Sequence, residues 1–141
     1  MKHKLRLAIW EAQGRACILC DRALQRPKPA ESPHDPEGAS REHIWPRAAG
    51  GPLVLLAHAR CNRAKGDRPP TARELTRIET TLKELAPAAL SEVLRGCADR
   101  LRQATADVDV ARQAMMVVLR YAPTAEAASL LASLAAPQTH P

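Results

Sequence analysis

The sequence predicts an α+β protein, with a small zinc-knuckle core of two short strands and a helix and a C-terminal all-helical extension. Three observations predict it. The pairs Cys17-x-x-Cys20 and His58-x-x-Cys61, separated by 37 residues, have the spacing of metal knuckles. Two short apolar runs sit just ahead of the second knuckle, on either side of a Pro/Gly-rich link. From residue 69 onward, apolar residues recur at helical intervals and the charge balance changes.

The elements follow in chain order. Residues 4–13, KLRLAIWEAQ, place Leu5, Ile9 and Ala12 on one helical face, and Gly14 stands where that helix should stop. CILC then makes a tight turn. Residues 26–39 contain four prolines, which exclude helix and central strand, so they read as a surface loop with His34 as a solvated side chain. REHIW (41–45) and LVLLA (53–57) read as strands, because Pro46, Gly50, Gly51 and Pro52 break the chain between them. A short helix is expected from His58 to Lys65, closed by Gly66.

The extension, 69–141, reads as about four helices. Thr71 and Glu74 form a capping box ahead of Leu75, Ile78, Leu82 and Leu85. A second helix over 88–104 carries Leu90, Val93, Leu94, Cys97 and Leu101 on one face, with Cys97 as core. Asp107 or Asp109 can cap a third, with Val110, Ala114, Val117, Val118 and Tyr121. Thr124 can cap a fourth, with Ala127, Leu130, Leu131 and Leu134, and the tail PQTHP should fray. Helices this short are marginal alone and must pack on one another or on residues 1–68.

Composition narrows the function. Net charge is +6 over 141 residues. Residues 1–68 hold 13 Lys+Arg against 7 Asp+Glu, whereas residues 69–141 hold 8 of each. All the excess positive charge therefore lies in the half with the knuckles, and nucleic acid is the commonest polyanion to match it. No apolar run approaches the roughly 18 residues of a membrane span. The N-terminus lacks the apolar block of a signal peptide, so the chain reads as cytoplasmic with reduced thiols. Three thiolates and one imidazole make a closed tetrahedral set for zinc, with no position left for water, so Cys17, Cys20, His58 and Cys61 are expected to hold a structural zinc ion.

The stretch EHIWPRAAGG…LLAHARCNRAKGDR, preceded by CILC, resembles the HNH endonucleases of the zinc-knuckle type. The resemblance covers about residues 5–68. It implies the ββα-metal fold for residues 1–68 and hydrolysis of DNA phosphodiester bonds with one divalent ion, Mg²⁺ or Mn²⁺. It assigns His43 as general base, a role an imidazole suits because its ordinary pKa lies near neutrality. It also implies Glu42 and Asn62 as ligands of the divalent ion, both hard oxygen donors. Two positions depart from the family pattern. Glu42 stands where Asp is usual, and Pro52 or Leu53 stands where a middle Asn normally fixes the loop that orients the histidine.

Arg47, Arg63 and Lys65 are the expected phosphate contacts, with Arg60 and Arg68 nearby. Trp10 and Trp45 are expected beside the knuckles, which leaves few aromatics for stacking on single strands. Double-stranded DNA, cut with little sequence preference, is therefore the expected substrate. The alternative is a zinc-stabilised nucleic-acid-binding module that the missing Asn has made inactive. The neutral extension is expected to bind a protein partner, form a dimer or simply complete the core.

Overall fold

The computed structural model describes residues 1–32, 34–45, 51, 53–103, 116 and 120. The elements are α1 (His3–Ala12), β1 (Ala39–His43), β2 (Val54–His58), α2 (Ala59–Lys65), α3 (Ala72–Glu84) and α4 (Pro87–Gln103). The fold is thus mixed, with helices around one two-stranded antiparallel sheet. The third and fourth helices expected for the extension, the tail and Arg47 lie outside the described residues, apart from Met116 and Arg120, which are helical.

β1 begins and ends two residues earlier than the composition suggests. Its pairing runs from Ala39↔His58 to His43↔Val54. One further ladder bond, from Ile44 N–H to Leu53 C=O at 2.9 Å, continues the contact beyond the strand. Ile44 and Trp45, at 1% and 7% exposure, enter the core through a bend instead of extending the strand. β2 is buried at all five positions. A strand covered on both faces needs no polar alternation, which is why it reads as the unbroken run VLLAH.

The core crosses the boundary expected at residue 68. Leu5 and Ile9 of α1 share one cluster with Leu55 and Leu56 of β2, Ile78 and Leu82 of α3, and Val93, Leu94 and Cys97 of α4. Both capping-box bonds of α3 are present, Glu74 N–H to Thr71 Oγ1 at 3.2 Å and Thr71 N–H to Glu74 Oε2 at 2.9 Å. Pro87 opens α4 at a position where its missing N–H costs nothing. No described helix is long and apolar enough to cross a membrane.

Two side chains bind the first knuckle to its surroundings. The Gln13 amide accepts from Leu56 N–H at 2.9 Å and donates to Leu56 C=O at 2.9 Å, standing in for a strand partner on β2. Arg77 of α3 donates to the carbonyls of Ile18 and Leu19 at 2.8 and 2.6 Å. The Pro-rich loop is tied back by buried Arg6, which donates to Lys28 C=O at 2.9 Å.

Candidate functional site

The first knuckle is a narrow turn. Ala16 bridges Ala23, and Asp21 N–H donates to Cys17 C=O at 2.9 Å. Ile18 N–H donates to Leu56 C=O at 3.1 Å, which presses the turn onto β2. The second knuckle starts at the last residue of β2 and enters the first turn of α2. The sheet and α2 thereby bring together four residues drawn from both ends of a 45-residue segment.

The ligand atoms of Cys17, Cys20, His58 and Cys61 all lie within 4.8 Å of one another. His58 Nδ1 is 3.4 Å from Cys20 Sγ and 3.7 Å from Cys61 Sγ. A tetrahedral zinc ion at ordinary bond lengths separates its ligands by about 3.5–3.8 Å, so the spacing suits such an ion. His58 Nε2 lies 2.9 Å from the Ala23 carbonyl, which can only accept, so the ring proton is on Nε2 and Nδ1 presents its lone pair to the sulfurs. His58 N–H also donates to Cys17 Sγ at 3.4 Å.

The thiols resist ionising together. Burial pushes Cys17 up. Burial and the neighbouring sulfurs push Cys61 up to about 12. Burial opposes ionisation of Cys20 as well, but hydrogen bonds from Arg22 outweigh it and bring that thiol down to about 6. A cation at the centre relieves this crowding, and the four residues could hold a metal such as zinc.

The other expected residues surround a neighbouring groove of about 310 Å³, lined by Arg41, Glu42, His43, Trp45, Asn62, Arg63, Gly66 and Asp67. On an ideal strand, Glu42 and His43 point to opposite faces. Pairing is regular through His43, yet both residues line the groove, which wraps around the strand's end where the chain bends at Ile44. His43 Nδ1 is 3.3 Å from the carbonyl of Gly51. Since a carbonyl only accepts, Nδ1 carries the proton and Nε2 the lone pair. A backbone carbonyl of the loop thus contacts the histidine in a chain that lacks the middle Asn.

Asn62 donates through Nδ2 to Arg41 C=O at 2.8 Å and to Ser40 Oγ at 3.2 Å, both on β1. Its amide nitrogen is thereby fixed and Oδ1 is the donor atom left for a ligand. Glu42 is 2% exposed. Its Oε1 is paired with Lys65 Nζ at 2.9 Å, and its Oε2 is buried with no hydrogen-bond partner among the described residues. Burial raises the Glu42 carboxyl above its ordinary value, while the Lys65 ammonium pulls the other way.

Lys65 is not where a phosphate contact would be. Its side chain is 1% exposed, and besides Glu42 it donates to His43 C=O at 3.1 Å. Arg60 is paired with Glu37, and Arg68 holds Glu74 by two bonds of 2.9 and 2.7 Å. Arg63 lines the groove and forms no hydrogen bond or ion pair among the described residues. A larger groove of about 410 Å³ runs between the end of α1 and α3, but no histidine lines it.

Sequence reasoning missed three residues that shape these sites. Gln13 was visible only as the end of a helical pattern, and Arg77 only as a charge on α3. Gly51 was read as a chain breaker, although a Cβ there would stand 2.6 Å from His43 Nδ1. Comparison with family models, curated proteins and solved structures returned no match.

Proposed function

We propose that the protein is a metal-dependent DNA endonuclease of the HNH type, with β1, β2 and α2 as its ββα-metal core and a structural zinc ion at Cys17, Cys20, His58 and Cys61. The observation that carries the reading is a single groove lined by His43, Glu42, Asn62 and Arg63, in which the tautomer of His43 leaves the lone pair on Nε2. That ring can take a proton from the attacking water. Arg63 is the candidate for holding the phosphate backbone, which requires no base-specific contact. Residues 1–68 carry the positive excess suited to a polyanion.

The donors also suit a divalent ion. Glu42 Oε2 is a buried hard oxygen without a hydrogen-bond donor among the described residues, and Asn62 offers Oδ1. When bound there, Mg²⁺ or Mn²⁺ supplies positive charge to the scissile phosphate and the departing oxygen.

The second reading is a zinc-stabilised nucleic-acid-binding module without activity. It draws on the neutralisation of Glu42 by Lys65, which leaves less negative charge for a catalytic cation. Plasmid nicking with Mg²⁺ or Mn²⁺ separates the two. Nicking by the wild-type protein and its loss in His43→Ala is the expected result. Equal nicking by both would overturn the assignment of His43, and salt-sensitive DNA binding without nicking would favour the second reading.

A further inference from the structure

We infer that Lys65 is a positioning residue of the groove and not a contact to DNA; this rests on the nuclease reading. Three observations place it. Its ammonium lies within 2.9 Å of Glu42 Oε1 and 3.1 Å of the His43 carbonyl, so one group holds two consecutive residues at the end of β1. Its side chain is 1% exposed, which leaves no path to a phosphate without breaking the pair. It is also the last residue of α2, whose middle residue is Asn62. The same helix thus fixes Asn62 to Ser40 and Arg41 from its middle and Lys65 to Glu42 and His43 from its C-terminal end.

This arrangement has a chemical consequence. An ammonium on Oε1 compensates part of the cost of burying a carboxylate and leaves Oε2 as the oxygen that no described residue fills. Lys65 therefore fixes which oxygen of Glu42 is offered and where the His43 backbone sits. Groups that orient a ligand in this way typically cost about 10- to 100-fold in metal affinity or activity when removed.

The test compares wild type with Lys65→Met, which keeps the volume of the side chain and removes its charge. Three quantities are read on zinc-loaded protein, namely kcat for nicking, KM for plasmid, and the slope of log Kd for duplex DNA against log salt. Positioning predicts that kcat falls about 10- to 100-fold while KM and the salt slope stay at wild-type values. A phosphate contact predicts a salt slope smaller by about 0.9 and a raised KM, which would overturn the inference. Wild-type kcat in a zinc-loaded, less stable variant would show a merely structural role and would overturn it as well.

Removing one partner of a buried pair can prevent folding, whereas removing both is often tolerated. The double variant Glu42→Gln with Lys65→Met is therefore read in parallel for its salt slope. An unchanged slope supports positioning, and a drop of about 0.9 rejects it. If the wild-type protein neither nicks nor binds duplex DNA, the nuclease reading itself fails and this inference with it. Wild-type nicking with an unaffected Lys65→Met variant would sink the inference alone.

Discussion

Alanine at Gly51 should disable the groove while leaving the fold intact. Gly51 has φ +48°, and its missing Cβ would lie 2.6 Å from His43 Nδ1 and 3.3 Å from His43 Cγ. Real side chains do not approach so closely, so the imidazole must swing away and lose its bond to the Gly51 carbonyl. The backbone conformation costs an alanine about 1–2 kcal/mol, and the lost hydrogen bond about 0.5–1.5 kcal/mol. Misplacing a reacting group by about 1 Å can cost about 100-fold in rate. Gly14→Ala supplies the control, because Gly14 has φ +65° and nothing within 4 Å of its built Cβ. Both variants should lose similar backbone stability in urea titrations, but only Gly51→Ala should lose nicking. Long-range ¹⁵N spectra of the imidazole should show the Nδ1–H tautomer of His43 in wild type and in Gly14→Ala, and its loss in Gly51→Ala. Nicking by Gly51→Ala within twofold of wild type, with the tautomer retained, would refute the contact between loop and ring.

Three further outcomes follow from the geometry. Elemental analysis should find one tightly held zinc per chain. Cys61→Ser or a strong chelator should release it and strongly destabilise the protein in urea titrations, because apparent zinc binding in such sites, about 10–16 kcal/mol, rivals the whole stability of a domain. Arg77→Ala leaves the Ile18 and Leu19 carbonyls without their charged donor, so it should cost about 1.5–3 kcal/mol in urea unfolding and weaken zinc retention in a chelator competition. The third outcome concerns acid. Hydrogen bonds from Arg68 hold the Glu74 carboxyl below its ordinary value, against the opposing effect of burial and with further help from Thr71 N–H. That stability is therefore present above the ordinary glutamate pKa and is lost as pH falls through the depressed folded value. Wild type should exceed Glu74→Gln in stability near pH 7, and the gap should shrink in urea titrations as pH falls below the ordinary glutamate value.

Local chemistry made much of this legible in advance. The Thr71/Glu74 box, the extent of α1, and the meeting of the Cys17/Cys20 and His58/Cys61 pairs all follow from interactions a few residues long or from ligand chemistry. What escaped depends on distant partners. Lys65 has the composition of a solvated helix end, and its burial arises only because Glu42 waits beneath it on β1. β1 was displaced because its register is set by β2, while Ile44 and Trp45 gain more from the core than from a longer ladder. Gln13 lies 43 residues from Leu56, so nothing in its neighbourhood announces the pairing. Helical spacing shows that Ile78, Leu82 and Leu94 need a partner surface, but not that they fill the same core as Leu5 and Ile9, because such contacts join residues far apart in the chain.

The two candidate sites are joined by the shortest of the described helices. α2 has only seven residues, and isolated helices shorter than about 12 residues are marginal in water. It must therefore be held from outside, and each end has its own tether. At the N-terminal end, His58 and Cys61 belong to the cluster that could hold a metal, and Asn62 follows Cys61 directly. At the C-terminal end, Lys65 is bonded to Glu42 and His43. Releasing the metal would free the first turn of α2 and, with it, the residue that bonds Ser40 and Arg41 across to β1. The cluster thus lies outside the groove but sets the position of one of its walls. By this argument, a chelated protein should lose the order of Asn62 before it loses the contacts of β1 with β2, since the strands keep their own ladder and the buried apolar residues around it.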